Sequence, residues 1–175
     1  MDREQAATYL PPYLNKVQKH YSFGSGSNSK LIQVIANLLP LAIEQAAQLA
    51  PHFKGGTPQE TARNIFNFLR TQLQYTAEPW HSQNPKAPSA LIGSGVGDCK
   101  SFALFAYGIA YNLGLKPVLR FTSDVSSIEA THVYTTTTGG VIDGTILQFN
   151  YEVSSPKFLK DITHTPKKKK WKSIV

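Results

Sequence analysis

The chain has 175 residues, of which 41% are hydrophobic, a formal net charge of +7 and a single cysteine. This length suits one domain that buries a core without disulfides or a structural metal. One cysteine cannot close an intramolecular disulfide, which excludes a disulfide-stapled secreted scaffold and favours a reducing compartment. Residues 157–175 carry seven lysines against one aspartate. We therefore predict a single, nearly neutral domain over residues 1–156 and a basic tail over 157–175.

The N-terminal third of the chain predicts helices. Its first residues, MDREQAATYLPPYL, carry charges of both signs and no apolar h-region, so we expect no signal peptide and a cytoplasmic protein. Residues 2–20 show a short helical pattern that Pro11 and Pro12 interrupt, and GSGSN at 24–28 predicts a loop. The apolar stretch at 30–50 contains several polar residues and predicts a core-facing helix, not a membrane span. The predicted buried stripe comprises Leu31, Ile35, Leu38, Ala42, Ala46 and Leu49.

A helix-start signal stands at residues 57–60. Thr57 is placed to cap the helix, Pro58 occupies its first position, and Glu60 completes a capping box. This helix is expected to run to about Tyr75. Residues 76–98 contain three prolines and predict a long loop that leads to the cysteine. Loops of this length inside a compact domain are usually functional.

The segment after the cysteine predicts one more helix and then strands. Apolar residues recur at helical spacing as far as Leu113, and Gly114 is expected to end the helix in the left-handed conformation. KPVLRFTS and THVYTTTT predict two strands, and Gly139 with Gly140 predicts a two-residue hairpin turn into VIDGTILQF. The expected fold class is α+β, with N-terminal helices packed on an antiparallel sheet.

Cys99 stands where a cysteine can be reactive. Asp98 is a candidate N-cap, which would place Cys99 in the first turn of a helix, where free N–H groups and the helix dipole favour a thiolate. Such a position lowers a cysteine pKa from about 8.5 into a range of roughly 3.5 to 7.5. A thiolate nucleophile needs a partner that carries its proton, and histidine does this near neutral pH. The alternative is a small buried thiol with no chemistry.

His132 is the candidate partner among the five histidines, because it begins a strand that a hairpin joins to the strand of Asp143. With the turn at 139–140, His132 would lie opposite about residue 147. His132 and Asp143 could then meet only diagonally, across a twisted or bulged pair. The chain contains no paired Cys/His ligand pattern, so we predict no metal site and no cofactor.

Several segments resemble one family. GVGDCKSFALFAYGIAYNLGLKPVLRF, THVY and VIDGT look like the core of the transglutaminase-like superfamily. NIFNFLRTQLQY and QNPKAPSALIGSG resemble the preceding helix and loop of its bacterial and phage cysteine-peptidase branches. The resemblance covers about residues 58–147 and implies a papain-like or transglutaminase-like core. By matching positions, it implies that Cys99 is the nucleophile, His132 the general acid/base and Asp143 the residue that orients the imidazole.

The resemblance also implies an oxyanion hole, for which Gln83 and Trp80 are the candidate side chains, Gln83 slightly preferred. Tyr134 and Gly144 differ from what many relatives carry beside the histidine and the aspartate, which leaves the subfamily open.

The implied function is acyl chemistry on a peptide or carboxamide bond through a thioester on Cys99. Water as the acceptor gives a peptidase or amidase, which we prefer, and an amine gives a transglutaminase. The alternative is a non-catalytic binding or structural protein on the same fold, such as a component of a phage or mobile-element assembly. A phage-encoded chain could be associated with the virion.

The lysine cluster Lys167–Lys172 has its own set of interpretations. Four consecutive lysines beside Trp171 predict attachment to a polyanion, either nucleic acid or an anionic surface. A solubilising tail with no partner is the alternative.

Overall fold

A computed structural model describes residues 1–11, 28–79 and 83–166 of the chain. The helices are α1 Arg3–Thr8, α2 Asn28–Ala46, α3 Pro58–Gln72, α4 Pro88–Ser94 and α5 Cys99–Asn112, with a 3₁₀ helix at Ala50–Phe53. The strands are β1 Gln74–Tyr75, β2 Val96–Gly97, β3 Val118–Ser123, β4 His132–Thr137, β5 Gly140–Ile142 and β6 Phe158–Ile162. Within the described ranges, no helix has the length and apolar character needed to span a bilayer.

Four strands form an antiparallel sheet in the order β5, β4, β3, β6, and α5 packs on it. The Thr135 hydroxyl in β4 donates a hydrogen bond of 2.9 Å to the Ala103 carbonyl of α5. On its other side α5 packs against α2. The two helices approach so closely at Gly108 that a Cβ there would collide with the Ala42 carbonyl. Helix α5 is therefore central and buried between the sheet and the other helices. The predicted α+β class, with helices packed on an antiparallel sheet, is confirmed.

Two helical details differ from the sequence expectation. In α2 the side chains of Ile32 and Leu39 are buried, whereas those of Leu31 and Leu38 are only partly buried. At these two positions the buried residue is therefore the one after the residue that we predicted. Two other local predictions are confirmed, since Thr57 caps α3 in a capping box and Gly114 follows α5 with a φ of 73°.

Helix α3 ends earlier than predicted, at Gln72, because the chain joins a short parallel pair. The backbone of Leu73 is extended, and the N–H groups of Gln74 and Thr76 donate to the carbonyls of Gly95 and Gly97 at 2.9 and 2.8 Å. Strand β1 thus lies beside strand β2, which leads directly into α5. The prediction that the helix reaches Tyr75 is wrong.

The hairpin turn is also one residue earlier than predicted. Thr137 pairs with Gly140, so the two turn residues are Thr138 and Gly139. Gly139 is required here because a Cβ would collide with the Pro58 carbonyl at the start of α3. The position of the turn is therefore set by contact with α3, which cannot be predicted from the sequence of the hairpin alone. Continued along the strands, the observed register places Asp143 opposite Tyr134, two residues from His132.

The predicted tail boundary at residue 157 is too early. Strand β6 completes the sheet beside β3, and the Arg120 guanidinium in β3 donates to both carboxylate oxygens of Asp161 in β6 at 2.8 and 2.7 Å. The lysines at 157–160 therefore belong to the sheet and its edge. Lys167–Lys172 lie outside the described residues, and their attachment to a polyanion stays a prediction.

Candidate active site

Cys99 is the first residue of α5, and Asp98 caps the helix as predicted. One oxygen of the buried Asp98 carboxylate accepts hydrogen bonds of 3.1 Å from the N–H and the hydroxyl of Ser101. The N–H groups at the first two positions of a helix have no intrahelical partner. Here those groups belong to Cys99 and Lys100, and both interact with the cysteine sulfur.

Several neighbouring groups shift the pKa of the Cys99 thiol in opposite directions. Burial, the largest of these, raises its pKa, and the Asp143 carboxylate raises it further. The backbone N–H groups of Val133, Lys100 and Cys99 itself lower it, but they do not compensate, and the pKa stands at about 11. The sequence-based expectation of a lowered pKa is therefore wrong for the free protein, because burial outweighs the helix N-terminus. At neutral pH the thiol is protonated, and any reaction at the sulfur requires a base.

His132 and Asp143 form the polar pair of the site. His132 Nε2 lies 2.6 Å from Asp143 Oδ2. The other carboxylate oxygen accepts hydrogen bonds from the N–H and hydroxyl of Thr145 at 3.0 and 2.7 Å. Burial alone would raise the pKa of Asp143, but the hydrogen bonds and charge of His132 and the bonds from Thr145 outweigh it and lower the pKa.

The hydrogen bond assigns a tautomer to the neutral imidazole. Because the Asp143 carboxylate is ionised at neutral pH and accepts, the proton belongs on His132 Nε2. Nδ1 then carries a free lone pair. The His132 side chain remains 31% exposed, so this lone pair can serve as a base.

Cys99, His132 and Asp143 converge at one end of the sheet. The N–H of Val133, the residue after His132, interacts with the Cys99 sulfur, and the sulfur also interacts electrostatically with Asp143. The contact between His132 and Asp143 is diagonal across the β4–β5 pair, two residues from directly opposite.

Tyr134 supports the imidazole from the same face of β4. Its ring lies 5.6 Å from that of His132, and its hydroxyl donates to Glu152 at 2.7 Å. Glu152 also accepts from Arg120 at 2.8 Å. Tyr134 therefore contacts His132 on one side and Glu152 on the other.

Of the two side chains predicted for the oxyanion hole, only Gln83 lies within the described residues. The Gln83 amide nitrogen donates to the carbonyls of Glu78 and Pro79 at 3.1 and 2.8 Å, which occupies both of its N–H groups. An oxyanion role for Gln83 requires these hydrogen bonds to break, and it stays a prediction. Trp80 lies outside the described residues.

Lys100 is a buried cation next to the cysteine that sequence reasoning missed. Its ammonium group forms a close ion pair with Asp98 and lies 3.9 Å from Glu78, whose carboxylate accepts the Asn84 N–H at 2.5 Å. Burial lowers the pKa of Lys100 to about 8, although Glu78 opposes this. The cluster joins Glu78 and Asn84 to the start of α5. The sequence signal for this ion pair is the pair of opposite charges, Asp98 and Lys100, on either side of the cysteine.

Among the described residues, no group of three or more histidine, cysteine, aspartate or glutamate side chains is arranged to hold a metal ion.

No family model and no curated protein matches the chain. Among solved structures, the chain is similar to calcium-bound Legionella pneumophila LapG with a TM-score of 0.46 and 15% identity, covering 92% of this chain and 82% of that one. The EGTA-treated form of the same protein gives 0.44 and 14%, covering 85% and 74%. TM-scores at this level carry no functional assignment.

Proposed function

We propose that this protein is a cysteine peptidase or amidase of transglutaminase-like type, in which Cys99 is the nucleophile, His132 the general acid/base and Asp143 the residue that orients the imidazole. The observation that carries the proposal is the 2.6 Å contact between His132 and the buried Asp143 carboxylate. This contact stands beside the strand N–H that interacts with the Cys99 sulfur. The motif resemblance over residues 58–147 points to the same three residues.

The first half of the reaction follows from the protonation states. The Cys99 thiol is protonated at neutral pH, because burial raises its pKa to about 11. As the sulfur attacks the substrate carbonyl carbon, His132 Nδ1 accepts the thiol proton, and the carbonyl π electrons move to the oxygen. Asp143 stabilises the imidazolium through Nε2–H without taking the proton. The tetrahedral intermediate then collapses, and the imidazolium delivers the proton to the departing amine.

The second half of the reaction resolves the thioester. His132 Nδ1, neutral again, removes a proton from water as the water oxygen attacks the acyl carbon, and the proton returns to the departing Cys99 sulfur. The products are a carboxylic acid and the starting enzyme. A primary amine in place of water gives an amide and makes the same site a transglutaminase. Because the His132 side chain is 31% exposed, water can reach the imidazole, and this favours water as the acceptor.

One observation favours the second candidate, a non-catalytic binding or structural protein. Cys99 is only partly buried, but a thiol whose pKa is raised to about 11 by burial is typical of an unreactive cysteine. The two candidates differ in whether His132 can remove the thiol proton when a carbonyl is presented.

Incubation with a peptide library, with and without a primary amine, tests the proposed function. We expect shortened or deamidated peptides in water, with mass changes that depend on Cys99, and few amine adducts. A Cys99→Ala sample is the matched control. Amine adducts as the main product would make the protein a transglutaminase, and no product from any peptide would favour the non-catalytic candidate.

The reactivity of Cys99 toward a small alkylating reagent is expected to rise with pH well above neutrality. Burial raises the thiol pKa to about 11, so at pH 7 the reactive thiolate is about 300-fold scarcer than for an exposed cysteine with a pKa of about 8.5. The rate with iodoacetamide, measured between pH 5 and pH 10, should keep increasing as the pH is raised. The denatured protein is the control, with its transition near a pH of about 8.5. A plateau of fast reaction at acidic pH would instead indicate a resting thiolate–imidazolium pair and contradict the base mechanism.

A further inference from the structure

Tyr75 is fixed beside the cysteine by the backbone. In the β1–β2 pair, Tyr75 lies directly opposite Gly97, two residues before Cys99. The N–H of Thr76 donates to the Gly97 carbonyl at 2.8 Å. The position of Tyr75 relative to the start of α5 is therefore set by main-chain hydrogen bonds, which do not depend on the side chain.

The ring of Tyr75 lies over the first turn of α5. It makes an edge contact with Phe102, with the ring centroids 6.0 Å apart. Phe102 is buried and stands three residues after Cys99, on the same side of the helix. The Tyr75 side chain is nevertheless 42% exposed, so one part of the ring packs on the helix and the other part faces solvent at the candidate site.

The Tyr75 hydroxyl is a donor that no described residue uses. Burial, Cys99 and Asp143 all raise its pKa, in that order of size, so the phenol stays protonated at neutral pH. The pairing of Tyr75 with Gly97 and the ring contact with Phe102 place this side chain beside the first turn of α5, where Cys99 lies. Within the described ranges it forms no hydrogen bond, whereas the hydroxyls of Tyr134 and Tyr107 are both bonded.

Acyl transfer at Cys99 creates a need for such a donor. An oxyanion hole works through donors aimed at the oxygen that becomes negative in the transition state. The N–H of Cys99 at the start of α5 supplies one donor, and the Gln83 amide is occupied within its loop. We propose that the Tyr75 hydroxyl donates the second hydrogen bond to the oxyanion that forms when Cys99 attacks a substrate carbonyl.

The proposal rests on the proposed function and adds one group to it. As the sulfur bonds to the carbonyl carbon, the π electrons move to the oxygen, and Tyr75 stabilises that charge without giving up its proton. The thiol proton stays on His132. When the tetrahedral intermediate collapses, the carbonyl re-forms and the hydrogen bond weakens.

Tyr75→Phe tests the proposal, because it removes the hydroxyl and keeps the ring on Phe102. We expect acylation of Cys99 by p-nitrophenyl acetate to slow by about 10²- to 10³-fold, as for other oxyanion donors. Alkylation by iodoacetamide passes through no oxyanion, so its rate should stay within about twofold of wild type at every pH. The thermal midpoint should be unchanged. Tyr151→Phe is the matched control, since it removes the phenol hydroxyl of a tyrosine that is similarly exposed, at 46%.

The outcomes separate this proposal from the proposed function. Loss of acylation with unchanged alkylation supports the oxyanion role. Wild-type acylation in Tyr75→Phe overturns that role and leaves the acyl chemistry intact. A parallel loss of acylation and alkylation also overturns it, because Tyr75 would then act on the thiol. If the wild-type protein is not acylated at all, the proposed function fails and this inference fails with it.

Discussion

Cys99→Ala is expected to abolish turnover while the protein keeps its fold. The chain has no other thiol, so no second nucleophile of this kind can replace it. Losing a covalent nucleophile costs about 10⁴-fold or more in turnover. Alanine suits the first turn of a helix, and the lost thiol is small, so the free energy of unfolding should change by about 1 kcal/mol. Turnover of an ester or peptide substrate and the thermal midpoint are the measurements.

Cys99→Ser is the matched control for this variant. Its hydroxyl is close in size to the thiol but much harder to deprotonate, so the geometry is retained and turnover should still be lost. Substantial turnover in Cys99→Ala, with the same products as wild type, would contradict the covalent mechanism.

His132→Ala is expected to lower turnover by about 10²- to 10⁴-fold, the range that a general acid/base supplies. The need for His132 is greater here because the raised pKa of Cys99 leaves the thiol protonated at neutral pH. Turnover of the variant should recover in part as the pH is raised, since hydroxide then removes the thiol proton. A rate that equals wild type at neutral pH would contradict the assignment of His132 as the base.

Asp143→Asn provides the graded comparison. Asparagine cannot hold the imidazolium as the carboxylate does, so turnover should fall, but by less than in His132→Ala. The Asp143 charge also raises the thiol pKa. Removing it should therefore make iodoacetamide alkylation of the free protein faster at a given pH. Opposite changes in turnover and alkylation distinguish an orienting carboxylate from a merely structural one.

The helices could be predicted where their signals are local. The capping box of Thr57 and Glu60 and the left-handed Gly114 are each read from a few adjacent residues, and both are confirmed. The apolar spacing after Cys99 predicts α5 for the same reason. Cys99 and His132 are candidates from local sequence alone, because one follows a helix cap and the other begins a strand that a hairpin joins to Asp143. The resemblance adds the assignment of the three catalytic roles.

Features that depend on distant segments could not be predicted. The turn at Thr138 and Gly139 is selected by a contact with Pro58. The β1–β2 pair requires two segments that residues 76–95, including α4, separate in the chain. Strand β6 lies among lysines, whose charge suggested a tail. The pKa of Cys99 depends on burial by the sheet and by α2, which outweighs the local helix start.

Intact-mass spectrometry after incubation with p-nitrophenyl acetate tests the central claim most directly. We expect one acetyl group per protein, mapped to Cys99, released by hydroxylamine as expected of a thioester, and formed at least about 10²-fold more slowly in His132→Ala. Lys100 is the internal check, because it is the amine next to Cys99 in the chain, burial lowers its pKa to about 8, and an acetyl-lysine resists hydroxylamine. An unmodified protein, an adduct on Lys100 alone, or a Cys99 adduct that forms equally fast in His132→Ala would contradict the account.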